Sequence, residues 1–174
     1  VEGKGDARSC IKRPMTPPMT QSKTMTDIGA GQTSYQQYDN DIATRACEWL
    51  RTKAADPNTD PFCAFISFVC PHPPYKAPAA FYDLYSKIEM PEPKLRDRDV
   101  EYHPWIKLGQ SQRNFDDFVT EDSLPVLLRS YYGSISYLDR NIGRVVKVLE
   151  ETGLRDNTII IYTSDHGENL GTRR

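Results

Sequence analysis

The run Ser164-Asp-His-Gly-Glu168 puts a carboxylate and an imidazole side by side, followed by a glycine. Asp165 offers a hard oxygen donor and His166 a nitrogen donor. Such a mixed set suits calcium, magnesium, manganese or zinc, with the carboxylate favouring the harder ions. Gly167 permits the tight backbone turn that lets neighbouring side chains converge on one point. The bland alternative is a turn cap beside a surface histidine, and the pair alone does not decide between the two. A second run, Pro71-His-Pro-Pro-Tyr75, carries another imidazole. Its prolines stiffen the backbone and remove donors, so His72 loses little entropy when it points at a ligand. An imidazolium held there binds an anion or moves a proton near neutral pH. Against that stands a stiff proline turn with a structural histidine. The third histidine, His103 in Glu101-Tyr-His-Pro-Trp105, has no partner motif and reads as structural or surface. The sequence contains no glycine-rich phosphate loop after a strand and no Gly-x-Ser-x-Gly elbow, so a Ser-His-Asp triad is not indicated.

Both candidate runs sit directly after stretches that read as strands. Phe62-Cys-Ala-Phe-Ile-Ser-Phe-Val69 is nearly continuous apolar and aromatic, the pattern of a strand covered on both faces in a parallel sheet. Thr158-Ile-Ile-Ile-Tyr-Thr163 reads as a second buried strand. Between and around them lie helices. From Asp39 to about Ala55, Ile42, Ala46, Trp49 and Leu50 fall at helical spacing, with Asp39 or Asn40 as the cap. A short helix is expected over 79–86. Leu124, Leu127, Leu128, Tyr131, Tyr132, Ile135, Leu138, Ile142, Val145, Val146 and Leu149 form one apolar stripe along a long helix. Asp122 or Ser123 is its N-cap and Gly153 its C-terminal glycine. Tyr131 and Tyr132 are assigned to core packing, and Asp139-Arg140 to a solvated face or an ordinary ion pair. Residues 1–34 are rich in Gly, Pro, Ser, Thr and Met and read as an irregular excursion; 35–174 read as part of a catalytic domain. Residues 87–123 have no assignable pattern, and Trp105, Phe115 and Phe118 are expected to anchor them by packing. Helix, strand, long helix and strand imply an α/β sheet, in which ligands gather beyond the carboxyl ends of the strands.

Charge sets few further bounds. The chain of 174 residues carries 22 basic and 24 acidic side chains, a formal net charge of -2. That balance offers no electrostatic footing for nucleic acid or an anionic membrane. No apolar run approaches the roughly 20 residues of a spanning helix. Cys10, Cys47, Cys63 and Cys70 match neither zinc-site spacing nor a disulfide framework, so buried free thiols and a reduced compartment are expected. The beginning Val1-Glu-Gly-Lys-Gly-Asp6 has no initiating Met and no signal-peptide core, and the chain stops soon after a strand and a motif. Both ends are expected to be cuts. A cytoplasmic location is the expectation, with the periplasm as the alternative.

Taken together, several segments resemble the sulfatases of the alkaline phosphatase superfamily. They are Phe65-Ile-Ser-Phe-Val-Cys-Pro-His-Pro-Pro-Tyr75, Tyr131-Tyr-Gly-Ser-Ile-Ser-Tyr-Leu-Asp139, Val148-Leu-Glu-Glu-Thr-Gly-Leu154, and Asn157 through Gly171. Order and spacing agree with that family, and Tyr35-Gln-Gln-Tyr-Asp-Asn-Asp-Ile42 resembles the helix start of its choline-sulfatase and phosphonate monoester hydrolase branch. The resemblance covers about residues 35–171. It implies an alkaline-phosphatase-like sandwich of a mostly parallel sheet with flanking helices, present here in part. It also implies that Asp165 and His166 are metal ligands, and that His72 contacts the sulfate or phosphate group and assists the reaction. The implied metal is calcium, manganese or magnesium, and the implied substrate a small sulfate or phosphonate ester, with a homo-oligomer as an expectation for the intact parent. The implied mechanism is covalent, with a hydrated formylglycine as nucleophile.

The chain departs from the family at the nucleophile. Formylglycine is made inside a Cys-x-Pro-x-Arg motif, whereas Cys10 is followed by Ile-Lys-Arg-Pro and Cys70 by Pro-His-Pro-Pro. The family's N-terminal acidic ligands and the Lys that follows its Asp-His motif are absent too. Two ligands are few for a hard cation that takes about six donors. This stretch alone is therefore expected to be inactive.

Overall fold

A computed structural model describes residues 27–58, 60–94, 101–105, 107 and 119–172. Two helices dominate them. Helix α1 spans Ser34–Ala55 and starts five residues before the apolar pattern begins. The reason is local: Thr33 accepts a hydrogen bond from the Gln36 backbone N–H, and the Gln36 side chain accepts one from the Thr33 N–H. This capping box satisfies two of the donors a helix start leaves open. Asp39, expected as the cap, lies inside the helix and is fully buried. The long helix, named α3 here, spans Ser123–Glu151. Its C-terminal glycine is where the sequence puts it, with Gly153 at φ +73°. Asp122 makes no side-chain capping bond.

α1 packs along the C-terminal half of α3. Ala43, Cys47 and Leu50 meet Val145, Val148 and Leu149, and Ala46, Phe62, Ile66, Phe68 and Leu154 close the edge of that cluster. A second cluster gathers Leu124, Leu127 and Leu128 of α3 with Val119 and Tyr75. Burying each such leucine is worth about 1.5–3 kcal/mol. Polar groups seal the crossing: Arg144 donates to Asn40 and Thr44 on α1 and to Asn141, which is fully buried. Arg140 makes no ion pair among the described residues; it lies over the rings of Tyr137 and Phe81 and donates to Asn141.

The apolar stripe of α3 is interrupted in the middle. There the buried face is Ser130, Gly133, Ser134 and Tyr137, while Ile135 is 37% exposed. These small residues admit a backbone. Strand β1 (Gly29–Ala30) pairs in parallel with β2 (Lys76–Ala77), Gly29 opposite Lys76 and Ala30 opposite Ala77. Ser130 Oγ accepts from the Gly29 N–H. The Lys76 carbonyl accepts from Ser134 Oγ at 2.7 Å and from the Gln36 amide at 2.8 Å. A Cβ on Gly133 would stand 2.7 Å from the Ala77 Cβ, so only glycine fits that crossing. The short helix α2 (Ala79–Tyr82) and a 3₁₀ turn (Asp83–Tyr85) follow, in the place expected for one short helix.

The two stretches expected as buried strands form no ladder among the described residues. Residues 62–69 run without strand pairing; Phe62, Ile66 and Phe68 rest against the helices, whereas Phe65 is 89% exposed. Residues 158–163 are likewise unpaired, with Ile159 90% and Ile161 82% exposed. A continuous apolar run needs cover on both faces and neighbours on both edges, and the described residues supply one face of cover and no neighbouring strand. The observed architecture is thus a two-stranded parallel sheet with helices, compatible with part of an α/β fold.

Other expectations fare variously. Cys47 and Cys70 are buried free thiols, but Cys63 is exposed. Trp105 anchors nothing by burial, being 53% exposed. Tyr131 and Tyr132 are half-buried and stack with Tyr75 and Tyr85 respectively. No helix among the described residues is long and apolar enough to cross a membrane. Cys10, Phe115, Phe118 and residues 1–26 of the 1–34 excursion lie outside the described residues.

Candidate active site

His72 sits in an exposed turn that begins where residues 62–69 end. Its N–H donates to the Val69 carbonyl at 3.0 Å, and the Cys70–Pro71 and Pro73–Pro74 bonds flanking it are cis. The base of the turn is held by Asp39. One carboxylate oxygen accepts from the Val69 N–H at 2.8 Å and the other from the Cys70 N–H at 2.9 Å. α1 therefore contributes more than packing: its buried acid pins the backbone two residues before His72. Four residues earlier on the same helix, the Tyr35 ring meets the His72 ring edge to face at 5.9 Å. The Nδ1 of His72 lies 3.0 Å from the Pro73 carbonyl. A carbonyl only accepts, so Nδ1 carries a proton in this contact and Nε2 is left for another partner.

Asp165 and His166 lie in an exposed loop after residues 158–163. Asp165 Oδ1 accepts from the His166 N–H, and His166 Nδ1 donates to the Gly167 carbonyl at 2.8 Å. That bond and the Asp165 charge hold the His166 imidazole above its ordinary pKa. With Nδ1 so bonded, Nε2 lies 3.8 Å from the Asp165 Oδ2, an ion pair when the ring is protonated and a lone pair open to a metal when it is neutral. Two donor atoms at that separation are near the span of ligands on one cation, with bonds of about 2.0–2.6 Å. The chemistry of this pair fits a divalent ion in kind and falls short in number. No group of three or more His, Cys, Asp or Glu converges among the described residues. No hydrogen bond or ion pair among them joins His72 to Asp165 or His166. His103 is exposed and accepts from the Trp105 N–H within its own turn, as a local residue does.

The two loops meet through a residue pair the sequence reading passed over. Tyr75, which ends the proline run, is 4% exposed, and its hydroxyl donates to Glu168 Oε2 at 2.6 Å. Nothing in the sequence marks this pair beyond membership of the two motifs. Burial, then the Glu168 hydrogen bond and charge, push the Tyr75 phenol above its ordinary 10.0. Burial, then the Asp39 charge and hydrogen bond, push the Cys70 thiol above its ordinary 9.0. Both groups are held protonated by the fold, so their contribution is complete below those ordinary values. It is lost as pH rises and the unfolded chain ionises first. Denaturant midpoints are expected to be level near neutrality and to fall above pH 9.0. In Tyr75→Phe the fall above 10.0 becomes shallower, and an unchanged slope would refute this assignment.

A family model described as Sulfatase matches residues 7–174. The chain belongs to the sulfatase family. Among its relatives, a choline-sulfatase of Rhizobium meliloti (strain 1021) is 34% identical over 158 residues, 86% of this chain and 30% of that protein. An arylsulfatase of Clostridium perfringens (strain 13 / Type A) is 31% identical over 138 residues, 76% of this chain and 27% of that protein. The multifunctional alkaline phosphatase superfamily protein PehA of Trinickia caryophylli is 33% identical over 124 residues, 64% of this chain and 24% of that protein. This sulfatase chain thus spans less than a third of the length of these relatives.

Proposed function

We propose that this chain supplies part of the active site of a metal-dependent sulfuric ester hydrolase acting on a small sulfate ester. The observation that carries the reading is the exposed pair Asp165 Oδ2 and His166 Nε2, 3.8 Å apart in a chain of the sulfatase family. In this reading Asp165 and His166 hold a calcium, manganese or magnesium ion, completed by ligands from elsewhere. When bound, such an ion polarises the ester oxygens. His72, its turn pinned by Asp39, would stabilise the charge of the transferring group as the imidazolium, through Nε2–H. The formylglycine nucleophile of the family has no motif in this chain, so no step through it is assigned here. The sandwich of a mostly parallel sheet belongs to the same proposal, with residues 62–69 and 158–163 as two of its strands. So does a cytoplasmic setting, with the periplasm as alternative.

The likeness to a choline-sulfatase favours choline sulfate as substrate. The likeness to a multifunctional alkaline phosphatase superfamily protein supports a second reading, a phosphonate monoester or phosphodiester hydrolase with the same residues. The deciding test is release of sulfate from choline sulfate, beside release of alcohol from a phosphonate monoester, by an intact protein comprising this chain. His72→Ala is expected to lower kcat about 10²–10³-fold, the scale of losing one charge-stabilising group. Cleavage of the phosphonate with sulfate untouched would reverse the order of the two readings. Turnover by the 174 residues alone would overturn the view that the site is completed from elsewhere.

A further inference from the structure

We infer that Tyr75 and Glu168 form a latch that sets the Asp165–His166 loop against the His72 turn, making both positioning residues for the site. This rests on the reading of His72, Asp165 and His166 given above. The geometry is one-sided. Within the loop, Ser164 Oγ donates to the His166 carbonyl, the His166 N–H to Asp165, His166 Nδ1 to the Gly167 carbonyl and the Asn169 N–H to Glu168 Oε1. Every one of those bonds is local. Among the described residues, the Thr172 N–H bonds the Asn169 carbonyl just beyond the loop, and the long-range hydrogen bond that ties residues 164–169 to the core is the one from Tyr75.

Tyr75 is suited to the task. Its ring is buried with Leu124, Leu127 and Leu128 of α3 and stands edge to face with Tyr131 at 6.2 Å. Its backbone begins the Lys76–Ala77 strand that Ser134 and Gln36 hold. The phenol is thus fixed to the core at one end and, three residues from His72, to the proline turn at the other. A bond of phenol to carboxylate is charge-assisted and short, the stronger kind. Glu168 lies two residues past His166, and Leu170 packs into the same cluster as Tyr75. The loop therefore leaves the core at one point and is caught again at Glu168, with Asp165 and His166 in the exposed arc between.

The test is backbone ¹⁵N relaxation on the full chain with Tyr75→Phe, Glu168→Leu and Glu168→Gln. In the unaltered chain the Asp165 and His166 amides are expected at the order parameter of rigid backbone, about 0.85. Tyr75→Phe and Glu168→Leu should each drop them below about 0.6 while the amides of α3 stay unchanged. Glu168→Gln keeps an acceptor for the phenol and should restore them. Glu168 is exposed, so its variants leave the fold intact even if Tyr75→Phe does not. A loop already loose in the unaltered chain, one that stays rigid in both Tyr75→Phe and Glu168→Leu, or one that Glu168→Gln fails to restore overturns the latch. An ordered, latched loop without any hydrolysis by the intact protein would remove the enzymatic reading and leave the latch standing.

Discussion

Asp39→Ala is expected to cost about 3–5 kcal/mol of folding stability, read as a drop in the denaturant midpoint with the slope unchanged. Asp39 is fully buried and bonds two consecutive backbone N–H groups with its two oxygens. Bonds to a charged acceptor contribute about 1.5–3 kcal/mol each, and removing the acceptor strands both donors away from water. Alanine also leaves a gap, but the lost bonds outweigh it. Asp39→Asn keeps one oxygen and turns an NH₂ toward the other N–H, so roughly half the loss remains. The site responds as well, because the Cys70-Pro71-His72 turn is anchored at that carboxylate. A loss below about 1 kcal/mol in Asp39→Ala would mean that water or relaxation replaces the carboxylate.

Two glycines of α3 should respond to alanine with opposite signs. Helix propensity alone predicts a gain of up to about 1 kcal/mol at each. At Gly143 nothing lies within 4 Å of the added Cβ, so Gly143→Ala should realise that gain. At Gly133 the Cβ would stand 2.7 Å from the Ala77 Cβ and 3.2 Å from the Phe81 carbonyl carbon and oxygen. None of those atoms ends a flexible side chain. Overpacking costs about 1–3 kcal/mol, which exceeds the propensity gain. Gly133→Ala is therefore expected to lower the melting temperature by several degrees while Gly143→Ala raises it. Equal shifts in the two variants would show that β2 does not press on α3 as described.

The long helix was legible because its apolar residues recur at three and four over eight turns and Gly153 closes it. What escaped the pattern was its middle, where Ser130, Gly133 and Ser134 are buried for a reason periodicity does not encode: a strand backbone needs room there. The start of α1 escaped because Tyr35, Gln36, Gln37 and Tyr38 show no apolar stripe. The legible signal is Thr33 with Gln36, a capping box, whereas an acid ahead of an apolar run so often caps a helix that Asp39 reads as the cap. Its actual partners are 30 and 31 residues away, a separation at which local sequence is silent. The candidate site divides in the same way. His72, Asp165 and His166 stood out by type and setting, whereas the Tyr75–Glu168 contact spans 93 residues and could only be seen in three dimensions.

The bare run Thr158-Ile-Ile-Ile-Tyr-Thr163 has a consequence for how this chain behaves in bulk. Six uncharged, β-branched or aromatic residues without proline, unpaired by any strand among the described residues, are the composition that stacks into intermolecular cross-β. A second such surface, around Phe65, lies on the same molecule. Alone at high concentration, the chain is expected to associate edge to edge with copies of itself through these segments.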